Sequence, residues 1–368
     1  MNTAMIDVDI SDSTLRKAKC STSFFIVKDD LVQPLYETSY VDDSISHGDL
    51  CLEYYKLGAR AQIDVFILLQ QDSNRESDVN DLVIALNWCI ENNIQLISLS
   101  TGTILHSEAE KLYTIVKEIA RNEIVLVASS SNERRLTYPA CFDSCIGVGV
   151  DCTDTIERAS FSYLRGSFDG VDVIISPYTS DGEYIGSNSE GTAYFAGTLF
   201  RRLKNQNHVR EWLLQNSSPF NSRKKYHYLY NSIQSFSEEF LLIAVVNLSS
   251  SQVEEYSMVV QRHFNEWDYY CVSIFPEVIR TKGNDFKTYS HVFDSDLECS
   301  YPEFVQLISL LCCPSIAIVD YEQYDDKSKL DVILVDTKKA ISVENAIIIE
   351  IAKNSPLEVV AQIELYFK

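Results

Sequence analysis

Short β-branched apolar runs alternate with amphipathic segments through the first 215 residues, and few architectures accept that rhythm. Candidate strands cover residues 4–8, 24–27, 63–69, 95–99, 123–128 and 146–150. Between them, 78–92 carries Val83, Leu86 and Ile90 at helical spacing, and 108–121 carries Leu112, Ile115, Val116 and Ile119. Parallel neighbours need a crossover of a dozen or more residues, usually a helix. The alternation therefore predicts an α/β fold with right-handed crossovers and a parallel sheet covered by helices on both faces.

Composition narrows the function. With 368 residues, 46% apolar and 23% charged, the chain can bury two cores. Its 31 Lys and Arg stand against 53 Asp and Glu, a formal charge of −22. Such a surface repels phosphate backbones, so nucleic acid is not an expected partner. The sequence has no apolar run long enough to span a bilayer, and its start lacks the basic and apolar regions of an export signal; the expectation is a cytoplasmic protein without a membrane partner. Ten cysteines show neither CxxC nor Cys/His ligand spacing, so no metal or cofactor is expected and buried free thiols are, with the vicinal Cys312-Cys313 pair as a redox alternative. Only 12 residues are glycine, which leaves few positions for glycine-dependent turns.

Around 200–235 the composition shifts: Arg201, Arg202, Lys204, Arg210, Arg223, Lys224 and Lys225 crowd into an acidic chain. A second alternation follows, with strands at 240–247, 268–274, 315–320, 329–336 and 347–351 and helices at 252–264 and 303–311. Two domains are expected, 1–235 and 236–368, the second a smaller α/β accessory domain for a second copy or a maturation-enzyme partner. Residues 242–252 have the strand–loop–helix outline of a phosphate loop but lack the Gly and Lys that make one work.

Acyl transfer on a serine needs a base, a carboxylate to orient it and donors for the developing oxyanion. Asp7 ends the first strand, His47 follows in Ser46-His47-Gly48-Asp49, and Ser189 lies in Gly186-Ser187-Asn188-Ser189-Glu190-Gly191. Each alone has an ordinary reading: a strand-end turn former, a structural histidine, a helix cap. His106, His208, His227, His263 and His291 lack such a context.

At these residues the chain resembles the subtilisin-like serine peptidases, whose triad runs Asp, His, Ser. Ser46-His47-Gly48 is similar to the start of the family's HGTHxAG helix. Residues 96–102, ending Ser100-Thr101-Gly102, resemble the strand that ends Ser-Leu-Gly, and 125–132, closed by Asn132, resembles the strand ending AAGN. Tyr138-Pro139-Ala140, the strand after Cys145 and Arg158-Ala159-Ser160-Phe161-Ser162 follow as YPA, IxVGA and RAxFSN do. Two registers fit the serine motif. Gly191-Thr192-Ala193 read as GTS puts alanine at the nucleophile. Anchoring on Ala196-Gly197 aligns Ser187-Asn188-Ser189 instead; it keeps the later helix at 209–217 in register and is preferred.

The resemblance implies Ser189 as nucleophile, His47 as base, Asp7 as its orienter, Asn132 as oxyanion donor and Ser100, Thr101 and Gly102 as the edge that pairs with substrate. It departs from the pattern at Asp9, Asp49, Ser131, Ser187 and Ala193. Asp9 and Asp49 would raise the pKa of His47 if they point inward, and the glycines missing at 9, 131 and 187 predict an altered backbone. The inhibitory segment usual in the resembled family is not expected ahead of Asp7, which implies a peptidase restrained by narrow specificity or weak activity. The expectation is a cytoplasmic serine endopeptidase cutting a precursor or leader peptide, by analogy in peptide or bacteriocin maturation; the alternative is an inactive peptide-binding scaffold.

Overall fold

The computed structural model describes residues 1–36, 45–70, 77–151, 153, 155–164, 169–202, 209–219, 240–267, 269–276, 290–292, 299–336, 343 and 346–367. The chain divides into two compact units, Met1–Asn221 and Ser222–Lys368. The boundary expected near 235 falls in 220–239, outside the described residues, as do Lys204 and Arg223, Lys224 and Lys225 of the basic cluster.

The first unit is built on a nine-stranded sheet: β1 (Thr3–Asp7), β2 (Ser23–Lys28), β3 (Leu31–Pro34), β4 (Val65–Leu69), β5 (Leu96–Leu99), β6 (Val125–Ser129), β7 (Ile146–Val150), β8 (Phe161–Tyr163) and β9 (Val173–Ile175). Their order is β3-β2-β4-β1-β5-β6-β7-β9-β8. The centre is parallel, as the alternation predicts, but β3 and β8 pair antiparallel with β2 and β9. Only Asp29 and Asp30 separate β2 from β3, both left-handed at φ 51° and 59°, so a tight hairpin replaces the crossover.

Among the described residues of this unit, five helices frame the sheet, α1 (Asp12–Ala18), α2 (His47–Ala59), α3 (Val79–Glu91), α4 (His106–Arg121) and α5 (Asn188–Arg202), and α6 (Val209–Asn216) follows them. Every residue of β1 is buried, as a strand covered on both faces must be. On one face Met5, Phe66, Val127 and Val148 share a core with Cys51, Tyr55, Phe195, Ala196 and Leu199 from α2 and α5. Helices α2 and α5 cross closely through glycine. A Cβ on Gly58 would lie 2.2 Å from the Tyr194 carbonyl oxygen, and one on Gly197 would lie 2.3 Å from that of Tyr55.

The second unit is a six-stranded sheet in the order β12-β11-β13-β10-β14-β15. Its strands are β10 (Leu241–Val246), β11 (Cys271–Phe275), β12 (Ser290–Val292), β13 (Ile316–Asp320), β14 (Val332–Val335) and β15 (Ile347–Glu350), all paired in parallel. Helices α7 (Ser250–Glu266) and α9 (Pro356–Phe367) share a core with the sheet, and α8 (Tyr301–Cys312) buries Phe304, Leu307, Ile308 and Leu311. The phosphate-loop outline resolves into a capped helix start. Ser249 caps α7, accepting from the Gln252 N–H, and the Gln252 side chain accepts from Ser249 N at 2.9 Å. The Ser249 and Gln252 N–H groups are thus engaged within the cap itself.

Candidate active site

β1 is pinned between β4 and β5, so its C-terminal residue, Asp7, is held at a fixed point in the sheet. Asp7 is fully buried. Its Oδ1 accepts from Val8 N at 2.7 Å and faces His47 Nδ1 at 2.9 Å, while its Oδ2 accepts from the Ser100 hydroxyl. Pairing with the carboxylate puts the imidazole proton on Nδ1 and leaves Nε2 of the neutral ring as an acceptor.

His47 takes that position because of how α2 starts. Ser46 and Asp49 form a reciprocal capping box, with Ser46 N to Asp49 Oδ2 at 3.0 Å, and Ser11 N donates to Asp49 Oδ1 at 3.1 Å. Gly48 is required: a Cβ there would stand 2.0 Å from the Asp9 carbonyl oxygen. The hydrogen bond to Asp7 raises the pKa of His47 above the ordinary 6.5; burial opposes it, and the charges of Asp7, Asp9 and Glu190 reinforce it. Asp9 thus acts inward as the sequence suggested, its Oδ1 accepting from Gly48 N at 2.8 Å. Asp49 does not: its Oδ2 caps α2 through Ser46 N and its Oδ1 accepts from Ser11 N.

Ser189 lies in the first turn of α5 and is 6% exposed. Its Oγ donates to the Ser100 carbonyl oxygen at 3.1 Å, and among the described residues no hydrogen bond joins it to His47. Ser100 therefore touches Asp7 through its hydroxyl and Ser189 through its carbonyl. Ala193, the nucleophile position of the other register, is fully buried in the core of the first unit.

Helix starts leave their first N–H groups without intrahelical partners, and here they can be accounted for one by one. Asn188 N donates to Asn132 Oδ1 at 2.8 Å, Glu190 N to Ser187 Oγ at 3.2 Å and Gly191 N to Ser187 O at 3.0 Å. Among the described residues the Ser189 N–H has no partner. Asn132 is exposed, and with Oδ1 held by Asn188 its amide nitrogen is the unengaged end of the carboxamide. The Ser189 N–H and the Asn132 amide nitrogen are thus two donors without a partner among the described residues at the start of α5.

Ser100, Thr101 and Gly102 leave β5 in order. Ser100 N donates to Ile6 O at 3.3 Å, and Thr103 exchanges both main-chain bonds with Tyr138, at 2.9 and 2.8 Å. Between these anchors the main-chain groups of Thr101 and Gly102 are unpaired among the described residues.

Asp7, His47 and Cys51 also bring one potential ligand atom each within 4.8 Å of one another. The Asp7 oxygens already accept from three protein donors, and burial pushes the Cys51 thiol well above its ordinary range, so it stays protonated. The described cysteines are free thiols, and none of the described helices is long and apolar enough to cross a membrane.

Sequence reasoning gave no role to Asn188 or Glu190. The Ser187-x-x-Glu190 spacing of a capped start was the available signal for Glu190; nothing marked Asn188. Nor are the missing glycines a source of strain: Asp9, Ser131 and Ser187 are absent from the left-handed residues, so side chains fit there.

No protein-family model matches the chain. Among curated proteins it is 26% identical over 184 residues to the minor extracellular protease Epr of Bacillus subtilis (strain 168), covering 46% of this chain and 28% of that protein. It is 28% identical over 147 residues to subtilisin NAT of Bacillus subtilis subsp. natto, covering 36% and 38%. Over these stretches the chain is similar to the subtilisins. It spans well under half the length of these curated relatives. Among solved structures, the chain is similar to the nisin leader peptidase NisP from Lactococcus lactis, with a TM-score of 0.43 and 15% identity over 60% of this chain and 83% of that one. It is also similar to a lanthipeptide protease, with a TM-score of 0.40 and 14% identity over 58% and 77%.

Proposed function

We propose that this chain is a subtilisin-like serine endopeptidase acting on an extended, restricted peptide through Asp7, His47 and Ser189. The observation that carries the reading is their convergence on Ser100: Asp7 accepts from its hydroxyl, Ser189 donates to its carbonyl, and His47 hangs from Asp7. Burial of Ala193 supports the register that makes Ser189 the nucleophile.

In the reaction the Ser189 hydroxyl turns from Ser100 to His47 Nε2, gives up its proton there and attacks the scissile carbonyl carbon. The carbonyl oxygen becomes an oxyanion facing the Ser189 N–H and the Asn132 amide. The imidazolium, stabilised by Asp7, returns the proton to the leaving amine; water then hydrolyses the acyl-enzyme by the same route. Thr101 and Gly102 offer their unpaired main chain to an extended segment, which favours an unstructured peptide over a folded protein. We assign a precursor or leader peptide cut in the cytoplasm.

One observation favours a second reading, a peptide-binding scaffold: at rest the Ser189 hydroxyl is bonded to Ser100 rather than His47. A mixture of unstructured peptides incubated with the protein and resolved by mass spectrometry separates the two. Cleavage at defined bonds that disappears in Ser189→Ala supports the peptidase. Binding without cleavage, equal in wild type and Ser189→Ala, supports the scaffold.

A further inference from the structure

We propose that Asn188 is a positioning residue of the oxyanion pocket, holding Asn132 in the orientation that presents its amide; the inference rests on the peptidase reading above.

Asn188 opens α5, beside Ser189, and is 3% exposed. A carboxamide this buried costs free energy unless its polar atoms are paired, and here they all are. Its Oδ1 accepts from Val150 N at 2.8 Å, and its Nδ2 donates to Ser131 O at 2.9 Å, Ser130 Oγ at 3.1 Å and Ser130 O at 3.2 Å. Its own N–H donates to Asn132 Oδ1 at 2.8 Å. One residue thus joins three elements: the helix that carries Ser189, the end of β7 and the turn after β6 that carries Asn132.

Asn132 is exposed, and an exposed amide samples several rotamers unless something fixes it. The fixing is twofold. The Asn188 side chain holds the carbonyls of Ser130 and Ser131, which set the path of the turn. The Asn188 N–H then takes the Asn132 oxygen, so the Asn132 nitrogen faces the other way. Oxyanion donors are effective when already oriented before charge develops. Ser131 stands where the resembled pattern has glycine, and its carbonyl accepts the shortest of the Nδ2 bonds, so the turn is restrained by a side chain from α5.

The test is a double-mutant cycle of kcat and KM on a cleaved peptide, using the full chain. Asn132→Ala is expected to lower kcat about 10²–10³-fold. Asn188→Ala is expected to lower kcat about 10- to 100-fold at nearly unchanged KM, as a misplaced donor would. In the Asn132→Ala background the same change is expected to cost under about twofold, because the group it positions is gone. A merely structural role predicts equal losses in both backgrounds, and that result, or wild-type kcat in Asn188→Ala, overturns the proposal. If Asn188→Ala does not fold, the uncharged Asn188→Ser, which lacks the Nδ2 donor to Ser130 and Ser131, carries the same cycle with the same outcomes. If the wild type cuts no peptide, the peptidase reading fails separately. The positioning claim is then read from NMR order of the Asn132 side-chain amide: loss of order on substitution of Asn188 supports it, unchanged order overturns it.

Discussion

Replacing Gly197 by alanine sets two physical effects against each other. In an isolated helix, alanine in place of glycine is favourable by about 1 kcal/mol. In this protein the added Cβ would meet the Tyr55 carbonyl oxygen at 2.3 Å and Ala59 N at 2.7 Å, and 2.3 Å falls about 1 Å short of the 3.4 Å at which ordinary contact begins. Both atoms are backbone of α2, so no side chain can swing aside and the helices must part. Overpacking of this kind costs about 1–3 kcal/mol. The rigid partners put it at the upper end, for a net loss of about 2 kcal/mol after the propensity gain, or about 4–8 °C in Tm for a unit of this size. The consequence reaches the site because His47 begins α2 and Ser189 lies in the first turn of α5. A displacement of about 1 Å between reacting groups lowers rate by about 10². Thermal melts and the rate of serine-directed covalent labelling, run side by side, measure both effects. A Gly197→Ala protein that melts at or above the wild-type temperature and labels at the wild-type rate would refute the close-packed crossing and its coupling to the site.

Two further outcomes concern protons. The raised pKa of His47 means that its neutral, base-competent form accumulates only above the usual histidine range, so kcat/KM should climb with a midpoint above about 6.5. Asp9→Asn, which removes one of the charges that raise it, should move the midpoint to lower pH in a pH–rate profile; an alkaline shift contradicts the account. Burial pushes His106 down to about 4, so the fold holds it neutral while the unfolded chain takes up a proton near 6.5. Stability from this group is therefore present above that value and lost as pH falls toward 4, by up to about 3 kcal/mol. His106→Gln should flatten that part of the urea-melt pH profile, and an unchanged slope counts against the buried neutral ring.

What the sequence disclosed follows burial. Ile146–Val150 is a strand at the positions its apolar run marks, because a strand covered on both faces is apolar throughout. Leu31–Pro34 stayed hidden because an edge strand needs little burial and its turn, Asp29-Asp30, lacks the glycine that flags a tight hairpin. Asp7 and His47 were legible from their order and from Gly48. The aim of Asp49 was not, since a carboxylate three residues after Ser46 can cap the helix or face the cleft, and only the Ser11 and Ser46 donors decide. Asn188 carried no signal, because its partners lie 38 and more residues away. At Asp9, Ser131 and Ser187, where the resembled pattern has glycine, the backbone is not left-handed and a side chain fits.

The most direct measurement is reaction of the folded protein with a fluorophosphonate, followed by peptide mapping. The account predicts one phosphonyl adduct, on Ser189, formed faster as His47 loses its proton and absent in Ser189→Ala and His47→Ala. A folded protein that takes up no label, or takes it on another serine, would contradict a nucleophile at Ser189.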